Sequence, residues 1–314
     1  MKKLISICIP CRNEVENVEL LADEIVNHMF HLSQYNLEII FVDNCSDDGT
    51  QDVLRHMCAN DKRIKAVFNV KNYATAGSFL NVLYYAKGDC IITIPADFQV
   101  PIELIGKMIN EWENGAVVIA LTKTAVTKDA IWFIRKIFYS INKRLTTHGS
   151  LSGFNGSGAY DSAFIDMCKS CKDPLLNLRY MAANHAAPLV CVPYVEQPRR
   201  AGVSKFNASL LLDVALKGHF RASDVIPKYA VQTGLMVGGF SFLISIYYLV
   251  RKLIDWQNFP IGIAPLIIGM FFLGAIQLIF LGLIGEYILA IDKRQRNEPR
   301  VVVKEFINFD EEDV

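Results

Sequence analysis

The sequence predicts an α/β chain: a mostly parallel, Rossmann-like sheet, followed by a C-terminal two-helix transmembrane hairpin. Two observations lead there. Short β-branched runs alternate with helix-periodic segments through the first two-thirds of the 314 residues, the pattern of βαβ units wound into one sheet. Near the end, Tyr229–Val250 and Phe259–Gly285 carry no Asp, Glu, Lys, Arg or His. Each exceeds the about 20 apolar residues that a helix needs to cross a bilayer core.

Strands are expected at Ile5–Ile9, Glu38–Val42, Ile64–Phe68, Cys90–Ile94 and Ala116–Leu121, apolar enough to be covered on both faces. Helical periodicity falls at Val18–Phe30, Thr50–Ala59, Ala76–Ala86 and Ile102–Glu113. Asp48-Gly49-Thr50 starts the second of these helices, and Pro101 with Glu103 starts the fourth. From Asn207 to Lys228 a run of Leu210, Leu211, Leu212, Val214 and Leu216 precedes Lys217, His219 and Arg221. That segment suits either an amphipathic helix on lipid headgroups or an ordinary packed helix.

Lys293, Arg294, Arg296, Arg300 and Lys304 beyond the second stretch outnumber Arg251 and Lys252 in the loop, which points to a cytoplasmic C-terminus. Both ends of a two-span hairpin then share one side. The expected division is a cytoplasmic domain over 1–206, an amphipathic juxtamembrane segment over 207–228, two transmembrane helices within 229–291, and a cytoplasmic tail over 292–314. The expected location is the cytoplasmic (inner) membrane, multi-pass. The apolar run after Met1-Lys2-Lys3 stops at Pro10, too short for a secretory signal. Gly234 and Gly238 form a G-x-x-x-G that can let helices approach, so a homo-oligomer is open.

Net charge is zero, which gives no basic excess to suggest a nucleic-acid partner. Among eight cysteines, Cys8/Cys11 and Cys168/Cys171 have C-x-x-C spacing. Cys8 lies in an expected strand, where i and i+3 point to opposite faces. Buried thiols in a reducing compartment are therefore expected rather than a zinc site.

In a doubly wound sheet, ligands bind beyond the carboxyl ends of the strands. The polar residues there are Pro10-Cys11-Arg12-Asn13-Glu14, then Asp43 through Thr50, then Pro95-Ala96-Asp97-Phe98-Gln99. Three clusters, each with a carboxylate, suit a nucleotide diphosphate and a divalent ion. A Gly-x-Gly-x-x-Gly and a Walker lysine motif are both absent, which counts against dinucleotide cofactors and P-loop chemistry.

These residues carry a resemblance. Ile-Pro-x-Arg-Asn-Glu, Phe-Val-Asp-Asn-x-Ser-Asp-Asp-Gly-Thr, Ala-Lys-Gly-Asp and Ala-Asp-Phe-Gln resemble the inverting GT-A glycosyltransferases of family 2. Arg199 through Phe206, the two apolar stretches and Leu283-Ile284-Gly285-Glu286-Tyr287-Ile288 make the chain similar to polyprenyl-phosphate glycosyltransferases. That group includes the dolichol-phosphate mannose synthases and the bactoprenol glucosyltransferases. The resemblance implies a membrane-bound inverting enzyme that moves a sugar, glucose from UDP-glucose as the best guess, to polyprenyl (undecaprenyl) phosphate for cell-surface glycan modification.

It further implies that Pro10, Arg12, Glu14, Asp43 and Ser204 bind the nucleotide-sugar. Asp97 would hold Mg2+ or Mn2+ with Gln99 beside it, and Asp97, Lys205 and Arg200 would act in catalysis. Arg135, Lys136 and Asp161 would meet the acceptor phosphate. Each has a plainer reading: Asp43 and Asp97 as turn residues, Arg135 and Lys136 as a solvated face or headgroup anchor, Ser204-Lys205 as loop polarity. Relatives often have Asp-Ala-Asp-Leu-Gln-Asp-Pro where this chain has Pro95 through Pro101, so Pro95 and Val100 replace acids. The alternative is therefore a weak or inactive family member acting as a membrane scaffold. A processive polysaccharide synthase is disfavoured, because Gln197-Pro198-Arg199-Arg200-Ala201 lacks the Trp of Gln-x-x-Arg-Trp.

Overall fold

The computed structural model describes residues 2–73, 81–124, 151, 153–171, 176–198, 200, scattered positions between 236 and 254, 263–295, 299 and 301–310. The chain divides into two compact units. One holds residues 1–141, 148–208 and 297–314; the other holds 142–147 and 209–296.

The first unit is a single sheet with helices on its faces. Its elements are β1 (Leu4–Cys11), α1 (Val18–Phe30), β2 (Asn36–Asp43), α2 (Thr50–Asn60), β3 (Ile64–Asn69), β4 (Cys90–Thr93), α3 (Leu104–Glu113), β5 (Val118–Lys123), β6 (Phe154–Asp161), α4 (Ser162–Ser170), α5 (Leu178–His185), β7 (Leu189–Tyr194) and β8 (Val303–Ile307). The eight strands lie in the order β7-β5-β6-β4-β1-β2-β3-β8. β1 pairs in parallel with β2 and β4, β2 with β3, and β5 with β7. β6 runs antiparallel to β4 and β5, and β8 antiparallel to β3. The sheet is therefore mixed, where a mostly parallel one was expected.

Alternation along β1 shows how both faces are closed. Ile5, Ile7 and Ile9 pack with Leu21 and Ile25 of α1, Leu54 of α2 and Ile105 of α3, while Cys8 packs on the other face with Val82, Tyr160 and Phe164. Five cysteines, Cys8, Cys11, Cys58, Cys90 and Cys168, are buried free thiols, and burial pushes Cys58 up to about 12.

A buried polar knot holds the edge of the sheet away from the strand C-termini. Ser6 and Glu38 face each other across β1 and β2. Glu38 accepts from the Ser6 hydroxyl, from Lys87 N at 2.9 Å and from Lys65 Nζ at 2.7 Å. Ser6 Oγ accepts from Gly88 N at 2.7 Å. A Cβ on Gly88 would lie 2.7 Å from Ser6 N, so only glycine lets this turn approach β1. Asp89 completes the knot by accepting from Leu4 N at 2.8 Å. The Ala-Lys-Gly-Asp motif is thus a clasp that seats β4 beside β1.

The second unit contains the helix α6 (Ile263–Gln295). Among the described residues no helix is long and apolar enough to cross a membrane. This corrects the expectation of a two-span hairpin over 229–291 and of a multi-pass location. A crossing needs about 20 consecutive apolar residues. The segment 207–228 lies outside the described residues, as do residues 76–80 of the helix expected at 76–86, whose residues 81–84 are helical.

Glu38→Ala would leave Lys65 and Ser6 without their buried partner. Removing one member of a buried ion pair costs about 3 kcal/mol or more. Chemical denaturation of the variant is expected to show a loss of that size.

Candidate active site

Parallel register decides which residues share an edge. Cys11 stands opposite Asp43, and Cys8 opposite Thr93, so the loops after β1, β2 and β4 leave from the same side. Each contains one non-glycine residue with a left-handed backbone: Asn13 at φ 56°, Cys45 at φ 60° and Phe98 at φ 59°. Such a conformation costs roughly 1–2 kcal/mol, so these loops need bonds to hold it.

The first two loops are laced together. Asn13 N donates to Ser46 Oγ at 2.8 Å, and Asn13 Nδ2 to Asp47 Oδ1 at 2.6 Å, while Asp47 N returns a bond to Asn13 Oδ1 at 3.1 Å. Glu14 N donates to Thr50 Oγ1 at 3.0 Å and Val15 N to Asp48 Oδ2 at 3.2 Å. Asp48 also accepts from Thr50 N and hydroxyl. Burial raises the Asp48 carboxyl, but these bonds outweigh it and hold the group below its ordinary 3.8.

Asp43 is fully buried, and its carboxylate accepts from Ser46 N at 3.0 Å, from the Ser46 hydroxyl and from Gln51 Nε2 at 2.7 Å. These bonds close the turn after β2 around its carboxylate. Its neighbour Asn44 bonds both backbone groups of Tyr73: Oδ1 accepts from Tyr73 N at 2.8 Å, and Nδ2 donates to Tyr73 O at 2.6 Å. Asn72 lies between the Asn44 amide, 2.9 Å away, and the Arg12 guanidinium, and its oxygen can accept from one at a time by turning over. Arg12 Nε is buried without a partner among the described residues.

In the third loop Asp97 Oδ1 accepts from Gln99 N at 3.2 Å. Burial, and then the Asp97 charge, push the Tyr194 phenol up. Ala96, Phe98 and Val100 are buried in the main core, so the Val100 side chain packs inward. The Arg200 guanidinium lies 4.1 Å from the Phe98 ring centre and pairs with Glu24 at 2.6 Å. Gln197 N donates to Gln99 O at 3.1 Å. The structure thus gathers Pro10, Arg12, Glu14, Asp43, Asp97, Gln99 and Arg200 on one edge.

Asp161 does not join them. It ends β6 opposite Cys90, at the start of β4 rather than its end. Its oxygens accept from Ala163 N at 3.0 Å and from the Trp112 indole at 2.9 Å, so it caps α4 at the opposite edge of the sheet. Because β6 runs antiparallel, a residue following a glycine-rich run lands far from the rim. Arg135, Lys136, Ser204 and Lys205 lie outside the described residues. Among the described residues no group of three or more His, Cys, Asp or Glu is placed to hold a metal ion.

Comparison with known proteins agrees with this architecture. Residues 6–164 match glycosyl transferase family 2, and the chain belongs to that family. It is a glycosyltransferase that uses a nucleotide-sugar, related to the bactoprenol glucosyl transferases. It is 26% identical over 307 residues to the SfII prophage-derived bactoprenol glucosyl transferase of Shigella flexneri, covering 96% of this chain and 97% of that one. It is 27% identical over 305 residues to the uncharacterized glycosyltransferase YkcC of Bacillus subtilis, covering 95% and 93%. Among solved structures, mannosyl-3-phosphoglycerate synthase from Rubrobacter xylanophilus shares the fold, with TM-score 0.50 and 16% identity over 74% of this chain and 75% of that one.

Because the Asp48 carboxyl titrates below its ordinary 3.8, the stability it contributes is complete above that pH. It is lost as pH falls through the folded value. Melting temperature should therefore drop on acidification below pH 3.8, and Asp48→Asn should remove part of that drop.

Proposed function

We propose that the chain transfers glucose from UDP-glucose to undecaprenyl phosphate with inversion, for cell-surface glycan modification. The observation that carries the reading is the rim: polar loops from three neighbouring parallel strands, two of them laced together and the third carrying Asp97. The Shigella flexneri relative, matched along 96% of this chain, supports a polyprenyl-phosphate acceptor by its name.

The acceptor phosphate would attack the anomeric carbon as the bond to the leaving diphosphate breaks. A phosphate monoester has a second pKa of about 6, so it is already an anion near neutral pH. No general base is required, so the third loop can serve with Asp97 as its carboxylate. The enzyme's contribution would be positioning, plus stabilisation of charge on the leaving group. Arg12, beside Asn72 and Asn44, would face the nucleoside, with Pro10 and Glu14 on the same loop. Asp43 would act through Ser46 and Gln51, by holding the loop rather than by touching the donor. Arg200, already beside Phe98, would supply positive charge next to Asp97. Ser204 and Lys205 would close over the diphosphate, and Arg135 and Lys136 would meet the acceptor phosphate.

The donor set fits Mg2+ or Mn2+ as a one-carboxylate site. Such ions bind through one or two carboxylates when substrate phosphates and water complete the shell. Asp97 would hold the ion, with Gln99 N fixing its carboxylate, and the ion would neutralise the diphosphate.

The test is purified full-length protein with labelled UDP-glucose, GDP-mannose and a short polyprenyl phosphate. Glucosyl transfer to the lipid phosphate is expected, and Asp97→Ala should lower kcat by about a hundredfold. A mutant that turns over like wild type removes Asp97 from the reaction. Transfer only to some other acceptor overturns the lipid-phosphate assignment.

A further inference from the structure

Resting on the donor-site reading above, we infer that Tyr73 is a positioning residue through which the C-terminal strand fixes the nucleoside side of the rim. Tyr73 receives a bond from the end of the chain and passes a hold to the loop after β2. Val302, just before β8, is bonded at both backbone groups. Its N–H donates to Tyr73 Oη at 3.0 Å, and its carbonyl accepts from Val70 N at 3.0 Å.

β8 itself is anchored along its length. Glu305 pairs with Arg55 at 2.9 Å. Asn308 Nδ2 donates to Cys58 O at 2.7 Å and to Ile64 O at 2.8 Å. Phe306 and Phe309 both pack edge-on against Tyr85. The pairing of β3 with β8 shifts register between Phe68 and Asn69, next to the point where Val302 meets Tyr73. The strand is thus a fixed post, and Val302 is the end that reaches the rim.

From Tyr73 the hold passes to Asn44, which grips both of its backbone groups, as described above. Asn44 is itself buried and receives a further bond from Asn69 Nδ2 at 3.3 Å. Its N–H donates to Cys11 O at 3.0 Å, the carbonyl immediately before Arg12. A short path of hydrogen bonds therefore runs from Val302 through Tyr73 and Asn44 to the start of the Arg12 loop.

The path lies on the nucleoside side of the site and away from Asp97. A group that positions the donor equally in ground and transition states alters KM and leaves kcat unchanged. That split separates positioning from general loosening. Tyr73→Phe keeps the ring and deletes only the phenol oxygen. Val302→Pro deletes the N–H from the other side of the same bond, at a position before the strand where proline is tolerated.

The experiment titrates full-length wild type, each single variant and the double variant with UDP and with GDP by calorimetry, and measures donor KM and kcat with UDP-glucose. Loss of one neutral hydrogen bond corresponds to about a fivefold effect. Each single variant is expected to bind the preferred nucleoside diphosphate about fivefold more weakly, with a matching rise in donor KM and an unchanged kcat. The double variant should be no worse than either single one, because both remove one bond. Tyr73→Phe that binds as tightly as wild type overturns the inference, and so does a double variant whose losses multiply. Wild type that binds neither nucleotide overturns the donor-site reading itself, a result distinguishable from either of these.

Discussion

Parallel pairing of β1 with β2 on one side and β4 on the other is the constraint on which the site depends. Because the three strands run the same way, their carboxyl ends emerge together, and whatever follows each strand is brought to the others. The Ser6–Glu38–Lys65 knot holds this register from the far edge. There Gly88 lets the turn before β4 sit against β1. A slip of one residue would turn every side chain on a strand to the other face. The buried charges of that knot would then lose their partners.

At the near edge the same economy of partners recurs. Asp43, Asp48 and Asn44 spend their polar atoms on neighbouring backbone and side chains, so the loops are shaped before any ligand arrives. Preorganised groups cost no rearrangement at the moment of reaction. Three non-glycine residues held in the left-handed region are the strain that this bonding sustains, a frequent feature of functional loops.

Much of the fold was legible because it is written in local periodicity. β1 through β5 and helices α1, α2 and α3 fall where apolar runs and helical spacing put them, and the rim loops follow from their order. What was not legible depends on distant pairing. β8 reads as a charged tail, Val-Lys-Glu-Phe-Ile, until its pairing with β3 gives Glu305 the partner Arg55. β6 is glycine-rich, and nothing local states that it runs antiparallel and so carries Asp161 to the edge away from the rim. Tyr73 and Asn44 carried no catalytic signature. Their side-chain-to-backbone bonds join residues 29 positions apart. Uncharged length alone suggested membrane spans in the last third, and the described helices do not supply one.

The position of β8 also bears on how the chain is made. Arg55 and Glu305 are separated by 250 residues, and at ribosomal speeds of about 5–20 residues per second that interval lasts roughly 12 to 50 seconds. Throughout it the outer rim of β3, with Val67 and Phe68 along it, has no strand to pair with. A bare strand edge of that kind invites pairing with other nascent chains. The growing polypeptide thus has a vulnerable interval that ends only when its last strand leaves the ribosome.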